Sequence, residues 1–215
     1  MEKDLGNYRK SYIKGSLLEH SINNDPFDLF QLWFNEVDSH FQETETNAMT
    51  LATIGIDGFP KSRVVLLKKF SSAGFVFFTN YESEKAIALA NNPQCCLSFH
   101  WESAERQVII KGFADKIDPS ESDAYFLSRP KGSQLGAWAS KQSTVIKNRT
   151  ILDAKLESLE NEYNNKPLQR PEFWGGYIVK AVEIEFWQGR ENRLHDRIRF
   201  KLSANSSWDM ERLSP

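Results

Sequence analysis

Cysteine and histidine are both scarce in this chain. The only cysteines, Cys95 and Cys96, are adjacent, and the four histidines form no cluster with them. Neighbours on a strand point to opposite faces, so the two thiols are poorly placed to pair with each other. Two cysteines alone also fall short of the ligand set of a structural zinc site. We therefore predict packing roles for both cysteines, a reducing compartment and no metal site.

The chain also lacks a long apolar run and a large charge of one sign. No apolar stretch approaches the roughly 20 residues that a membrane helix needs, and no apolar segment follows a basic start. The formal net charge is -2 at pH 7, whereas nucleic-acid-binding domains are usually strongly basic. These absences predict a cytoplasmic protein that binds neither membranes nor nucleic acids.

Aromatic residues and short strand-like segments, by contrast, are abundant. The 15 Phe and 6 Trp can supply a large apolar core. Apolar residues recur at helical spacing over 26–42, after the N-cap signal Asp25-Pro26. Strands outnumber helices and lack the regular alternation of parallel folds. We predict a mainly β, antiparallel barrel with helices around it, as a single domain over 25–215 after a mobile arm over 1–24.

A basic strand is predicted over 63–69, where the sequence reads RVVLLKK. Alternate residues of a strand share a face, so Arg63 and Lys69 would lie at the two ends of one apolar face. Cations at strand ends are common at sheet edges, so a structural role explains this pattern as well as a functional one does. The functional alternative is that a phosphate and a flat apolar group lie along the strand.

A second group of polar residues surrounds a proline-glycine break. Tyr125 and Arg129 are four positions apart, which would make them neighbours on a helix face. Ser133 follows the break and could cap the next helix. A phenol, a guanidinium, a hydroxyl and a helix N-terminus together suit a phosphate ester. Taken alone, an ordinary helix end explains this segment better, and the polar run 140–143 that follows is a weak signal.

The segment WQGRENRLHDR, at 187–197, places three arginines and a histidine beyond a predicted strand. In a strand-like run after Asn192, residues Arg193, His195, Arg197 and Arg199 would share one face. Cations packed so closely repel each other unless an anion or a carboxylate intervenes. The arginines would also favour the neutral form of the histidine, which can accept or donate a proton. The alternatives are a solvated hairpin tip and an anion-binding site.

Four motifs, in this order along the chain, closely resemble the pyridoxamine 5'-phosphate oxidase family. They are RVVLLK at 63–68, SRPKGSQLGAWASKQS at 128–143, FWGGY at 173–177 and WQGRENRLHDR at 187–197. The likeness runs from the segment around Arg9 to the final proline. It implies an FMN-binding split β-barrel of antiparallel Greek-key type. It also implies a homodimer with FMN at the subunit interface and a dimerisation region over about 170–215.

The resemblance implies a reaction and a set of site residues. Pyridoxamine or pyridoxine 5'-phosphate would be oxidised to pyridoxal 5'-phosphate, with O2 giving H2O2 and the amine releasing NH3. The substrate phosphate would contact Lys68, Tyr125, Arg129 and Ser133, which agrees with the anion site inferred from the residues. The catalytic residues Arg193 and His195 would lie over the pyridine ring, and Arg9 and Tyr12 would fold over the substrate.

The FMN contacts implied by the resemblance are spread along the chain. The first set is Arg63, Val64, Val65, Leu66, Leu67, Lys68, Phe78, Thr79, Lys85 and Gln107. The partner subunit would contribute Gln142, Ser143, Trp187 and Arg197.

Two positions depart from the usual pattern of the family. Glu84 precedes Lys85 where the family usually has Arg-Lys, so a carboxylate stands where a cation would help to hold the FMN phosphate. We expect either that Glu84 turns away from this phosphate or that FMN affinity falls. Phe78 replaces a frequent tyrosine, which matters less if that contact is made through the backbone.

Other functions have to be weighed beside this one. Another split-barrel flavoprotein, such as a flavin reductase, would keep the fold and the FMN site but leave the Tyr125-Arg129-Ser133 group without a purpose. A non-catalytic carrier or sensor of FMN or pyridoxal phosphate would not need two anion sites. A nucleic-acid binder is disfavoured by the acidic net charge.

Overall fold

The computed structural model describes residues 3–8, 10–41, 43–164 and 166–215. The α-helices in this part of the chain are α1 (Pro26–His40), α2 (Glu84–Asn91), α3 (Pro119–Ser128), α4 (Lys131–Ala139) and α5 (Thr150–Glu162). The strands are β1 (Ala48–Ile54), β2 (Pro60–Leu66), β3 (Lys69–Ser71), β4 (Gly74–Asn80), β5 (Gln94–Trp101), β6 (Arg106–Lys116), β7 (Trp174–Gln188), β8 (Asp196–Leu202) and β9 (Trp208–Leu213). No helix within these ranges combines the length and apolar character needed to cross a bilayer.

Helix α1 begins where the sequence predicts. The Asp25 side chain caps it by accepting a hydrogen bond from the Phe27 amide at 2.8 Å, and Pro26 occupies the first turn. Its apolar face is buried, and the Phe30 ring packs edge-to-face on Phe99 with 5.2 Å between ring centroids. The local cap and the apolar stripe therefore determine this helix together.

Long-range strand pairing organises the rest of the fold. The strands are hydrogen-bonded in the order β2-β1-β5-β6-β7-β4-β3, and β8 pairs with both β7 and β9. Strand β7 pairs antiparallel with β4 from Trp174 to Val179, and with β8 from Glu183 to Gln188. The β3–β4 and β8–β9 pairs are also antiparallel. The predicted mainly antiparallel β architecture with helices is confirmed.

The chain divides into two compact units, each assembled from separate segments. Unit 1 comprises Met1–Met49, Leu97–Lys111 and Ala181–Pro215, and unit 2 comprises Thr50–Cys96 and Gly112–Lys180. The α1 helix packs in the core of unit 1. A core cluster of unit 2 consists of Phe126, Leu135, Leu159, Leu168 and Trp174. The division into an arm over 1–24 and a single domain stays a prediction.

The predicted basic strand is divided into two. Its first part, β2, pairs with β1, whereas β3 pairs with β4. Between them Leu67 is buried, and the Lys68 amide donates a hydrogen bond to the Val76 carbonyl at 2.8 Å. The chain thus changes its partner strand at this point. The prediction that Arg63 and Lys69 share one strand face is therefore wrong.

Candidate functional site

A cavity of about 640 Å³ lies in unit 2, between β2, β4, α4 and the start of β7. It brings together residues that are far apart in the sequence. Its wall contains the whole group predicted to bind the substrate phosphate, Lys68, Tyr125, Arg129 and Ser133. From the predicted FMN contacts it contains Val64, Val65, Leu66, Phe78, Thr79, Lys85 and Gln142. The two predicted groups therefore share one pocket.

The cations that line this pocket have no carboxylate partner among the described residues. Lys68, Lys85 and Arg129 line it, and none of them forms an ion pair with a carboxylate in the described ranges. The Nη1 atom of Arg129 is buried and has no hydrogen-bond partner in this part of the chain. A buried unpaired cation is costly, and an anionic ligand would remove that cost. The pocket is therefore suited to anions.

Lys85 is held in place by neutral groups. Its Nζ donates hydrogen bonds to Thr79 Oγ1 and Gln142 Oε1, each at 3.2 Å. Burial and, secondly, the nearby Arg63 lower the pKa of Lys85 to about 8, while Glu84 acts in the opposite direction. The ammonium is therefore mostly charged at neutral pH but loses its charge in mild alkali.

Arg63 lies near this charge without lining the cavity. Its Nη1 donates to Thr53 Oγ1 at 2.7 Å and to the Leu51 carbonyl at 3.2 Å. Burial lowers the pKa of its guanidinium, and Glu84 partly offsets that shift. Arg63 thus adds positive charge close to Lys85 while its own contacts are neutral.

Aromatic rings form one wall of the cavity. The Phe78 ring contacts both Tyr125 and Trp174, with centroid distances of 3.9 and 5.5 Å, and these two rings lie 6.2 Å apart in nearly parallel planes. Trp174 is a pocket residue that the sequence analysis did not single out, although it belongs to the FWGGY motif quoted for the resemblance. Its position in that motif was the available signal.

Gln142 and Ser143 lie in unit 2 with most of the other FMN candidates. Gln142 Oε1 accepts hydrogen bonds from Thr79 and Lys85 of its own chain. Gln142 therefore lines the pocket of its own chain, and the expectation that a partner subunit supplies it stays a prediction. Ser143 does not line the cavity, but its Oγ accepts a hydrogen bond from the Glu84 amide at 3.2 Å.

The helix ends around Pro130 differ from the prediction. Arg129 follows α3 as its C-cap with extended backbone, φ -73° and ψ 150°, so it shares no helix face with Tyr125. Pro130, and not Ser133, is the N-cap of α4, and Ser133 lies within the first turn. The residue before a proline avoids helical geometry, which explains both corrections. Tyr125, Arg129 and Ser133 nevertheless all line the cavity, as the fourth predicted phosphate ligand, Lys68, does.

Glu84 forms an ion pair that the sequence did not reveal. Its carboxylate accepts hydrogen bonds from Lys61 Nζ at 2.6 and 2.7 Å, and both side chains are about half exposed. Glu84 still raises the pKa values of Arg63 and Lys85, so its charge acts on the cations of the site. The carboxylate therefore has a cationic partner of its own without leaving the electrostatic field of the pocket.

Three further candidates form a separate cluster in unit 1. The rings of Tyr12, Trp187 and His195 contact one another, with centroid distances of 4.7 to 5.7 Å. The Arg190 amide donates to His195 Nδ1 at 3.1 Å, so in neutral His195 the hydrogen is on Nε2. Burial and, secondly, Arg193 lower the pKa of His195. This histidine is therefore a neutral Nε2–H donor at physiological pH.

The loop before β8 does not continue as a strand. Residues Glu191–Arg193 form a 3-10 turn, and β8 begins only at Asp196. Asn192 and Arg193 have positive φ angles of 55° and 61°, an unusual conformation for arginine. The prediction that Arg193 and His195 lie on one strand face with the following arginines is therefore wrong. Arg193 has no ion pair among the residues that the structure describes.

The two arginines that do lie on β8 are neutralised. Arg197 Nε donates to Glu185 at 2.8 Å, and Arg199 donates to Glu211 at 2.5 Å. These are the intervening carboxylates that the sequence pattern required. Their positive charges are consequently less available to a ligand than that of Arg193.

The remaining candidates have different positions. Leu67 packs in the core and does not line the cavity. Gln107 lies on β6 in unit 1 and is partly buried. Arg9 lies outside the described residues. The segment after Tyr12 is hydrogen-bonded to Glu105, because the amides of Ile13 and Lys14 donate to Glu105 Oε2 at 2.8 and 3.0 Å.

The antiparallel strands carry a cationic pocket with an aromatic wall, which is suited to a flat anionic ligand. Residues 36–163 match the family described as Pyridoxamine 5'-phosphate oxidase. Residues 174–215 match the family described as Pyridoxine 5'-phosphate oxidase C-terminal dimerisation region. The chain therefore belongs to the pyridoxamine 5'-phosphate oxidase family, and it is an oxidoreductase.

Individual relatives agree with this membership. A Flavobacterium psychrophilum protein named pyridoxine/pyridoxamine 5'-phosphate oxidase is 60% identical over 213 residues, or 99% of this chain and 100% of the relative. A protein of the same name from Christiangramia forsetii is 52% identical over 215 residues, which is all of both chains.

Solved structures confirm the predicted split-barrel fold class. PhzG from Burkholderia lata, in complex with tetrahydrophenazine-1-carboxylic acid, has a TM-score of 0.85 and 28% identity, covering 93% of this chain and 98% of that one. A pyridoxamine 5'-phosphate oxidase-related, FMN-binding protein from Nostoc punctiforme has a TM-score of 0.70. It is 14% identical and covers 87% of this chain and 96% of that one, so it supports the fold alone.

We expect Glu84→Arg to tighten FMN binding, because it removes a negative charge that acts on Arg63 and Lys85. The gain should be a few-fold in the dissociation constant, since exposed charges contribute about 0.2–1 kcal/mol. Fluorescence quenching of FMN measures this constant, with Glu84→Gln expected to lie between the variant and the wild type. An unchanged constant in both variants would show that Glu84 lies outside the field of the FMN phosphate.

FMN affinity should also fall as the pH rises from 7 to 9. The pKa of Lys85 is about 8, so its ammonium is lost over this range. The loss should reach about tenfold if the charged form is required for binding. The same titration on Lys85→Arg should be much flatter, because guanidinium stays protonated. A wild-type curve as flat as that of the variant would refute a role for this ammonium.

Proposed function

We propose that the protein oxidises pyridoxamine 5'-phosphate and pyridoxine 5'-phosphate to pyridoxal 5'-phosphate with FMN as its cofactor. O2 would accept the electrons and give H2O2, and the amine substrate, with water, would release NH3. The names of the close relatives and the match of residues 36–163 support this assignment. The match of residues 174–215 to a dimerisation region supports a homodimer.

The observation that carries the proposal is the unneutralised positive charge of the pocket in unit 2. FMN and the substrate each bring one phosphate, and the lining residues supply two groups of donors. Lys85, with Thr79 and Gln142, suits one phosphate. Lys68, Tyr125, Arg129 and Ser133 suit the other, and the buried Arg129 Nη1 still needs an acceptor. The residues that line the pocket are therefore suited to two ligands that each carry a phosphate.

FMN supplies the two-electron redox chemistry when it is bound, so the protein has to bind and orient the reactants. The apolar side chains at 64–66 suit a flat ring system beside β2. Phosphate binding by Arg129 and its neighbours would hold the substrate, and such positioning can account for much of a rate enhancement. This division of labour requires neither a nucleophile nor a metal ion from the chain.

Arg193 and His195 are proposed to act on the pyridine ring, as the family resemblance implies. Arg193 carries a positive charge without a described carboxylate partner, so it can favour negative charge that develops in the transition state. His195 presents Nε2–H as a donor, because its Nδ1 already accepts from the Arg190 amide. It can therefore hold a polar substituent of the substrate without changing its protonation.

The purified protein tests the proposal directly. It should be yellow, and pyridoxine 5'-phosphate added without O2 should bleach the flavin absorbance, which returns when O2 is admitted. Unphosphorylated pyridoxine should bleach it far more slowly, because the anion site is left empty. A flavin that stays oxidised with both phosphorylated vitamers would reject the function. Another split-barrel flavoprotein activity would then be the better explanation.

Arg193→Ala should reduce turnover by about a hundredfold, the usual cost of removing one transition-state donor. The FMN content of the purified variant, measured by absorbance, should stay near that of the wild type. Arg199→Ala is a matched control, since this arginine is paired with Glu211. An equal loss of turnover and FMN in Arg193→Ala would assign the residue to cofactor binding or folding.

A further inference from the structure

Trp174 lies against the residues that are proposed to bind the substrate phosphate, and its indole ring faces the cation of Arg129. It is the first residue of β7 and is almost fully buried. The Arg129 guanidinium carbon lies 4.6 Å from the centroid of the Trp174 ring and 5.8 Å from that of Phe126. Tryptophan attracts a cation over its face more strongly than other rings do. The ring therefore supports the guanidinium from one side.

This contact orients Arg129 without neutralising it. The backbone of Arg129 is held separately, because Gln134 Nε2 donates to its carbonyl at 2.8 Å. No described carboxylate pairs with the side chain, and Nη1 remains without a hydrogen-bond partner there. A carboxylate in place of the ring would also orient the guanidinium, but it would compete with a phosphate. An aromatic face leaves the charge and the N–H groups for the ligand.

The same ring also contacts the tyrosine of the group. Phe78 stacks on Trp174 with 5.5 Å between centroids and an interplanar angle of 13°. Tyr125 lies 3.9 Å from Phe78 at 24°, and 6.2 Å from Trp174 at only 11°. The Tyr125 ring is thus held nearly parallel to Trp174 by a cluster of three rings.

The backbone of Trp174 is anchored to the helix that carries Tyr125. Arg170 Nη1 donates to the Trp174 carbonyl at 2.6 Å, and Arg170 Nε donates to Asp123 of α3 at 2.6 Å. The Trp174 amide donates to the Pro171 carbonyl at 3.0 Å. The Trp174 ring is therefore held in a position from which it contacts both Arg129 and Tyr125.

We propose that Trp174 is a positioning residue for the substrate phosphate, which acts through Arg129 directly and through Phe78 on Tyr125. This rests on the proposed function, since that function assigns the phosphate to Arg129 and Tyr125. Trp174 would then determine the preference for phosphorylated substrates, while the redox step and FMN binding depend on other residues.

Trp174→Leu and Trp174→Phe test this role. The leucine variant should raise the KM for pyridoxine 5'-phosphate about tenfold, and the phenylalanine variant about threefold, in line with the strength of cation–π contacts. In both variants kcat and the dissociation constant of FMN should change less than twofold. Trp138→Leu is the matched control. Trp138 packs against the same core cluster, but its indole donates to the Gln169 carbonyl and lies outside the cavity lining.

A second readout does not depend on turnover. Inorganic phosphate should raise the melting temperature of the wild type and of Trp138→Leu, and it should do so much less in Trp174→Leu. If the leucine variant fails to fold, Trp174→Phe decides the matter in the same two assays. Unchanged KM and an unchanged phosphate effect in the folded Trp174 variants would overturn the proposal, as would equal changes in Trp138→Leu. A wild type that binds phosphate but does not turn over would reject the proposed function instead.

Discussion

Positive charge that the protein leaves unneutralised is the constraint on which the pocket of unit 2 depends. Burying a cation without a carboxylate is unfavourable, and folding tolerates it only where other interactions compensate. Here Lys85 is buried without such a partner in the described ranges, and the partly buried Arg129 and the exposed Lys68 line the same cavity. The site is thereby complementary to an anion before any ligand is bound.

Neutral groups hold Lys85, Arg63 and Arg129 in place. Carboxylates in the same positions would have neutralised their positive charges. Hydroxyl and amide oxygens accept hydrogen bonds from Lys85, a carbonyl and a hydroxyl accept from Arg63, and aromatic faces contact Arg129. Each arrangement restricts the orientation of the cationic side chain without neutralising its charge. Preorganised charge of this kind is what makes a phosphate site effective, since little reorganisation is needed when the ligand arrives.

The acidic residues show the same separation of roles. Glu84 is satisfied by Lys61, and the β8 arginines are satisfied by Glu185 and Glu211. Arg193, in contrast, lies in a left-handed backbone conformation without a described ion pair. Such backbone strain persists only where the surroundings maintain it, and it is often found at functional sites. Arg193 thus lies between two arginines, Arg190 and Arg197, that do have carboxylate partners.

Local signals in the sequence determined the start of α1, the antiparallel class and the identity of most pocket residues, because caps, periodicity and motifs depend on near neighbours along the chain. The tertiary structure alone decided which of those residues meet. It divided the basic strand at Leu67 and gave Glu84 the partner Lys61. It also placed Trp174 under Arg129. Each of these outcomes depends on a contact with a distant segment of the chain. The periodicity of a strand does not encode such contacts.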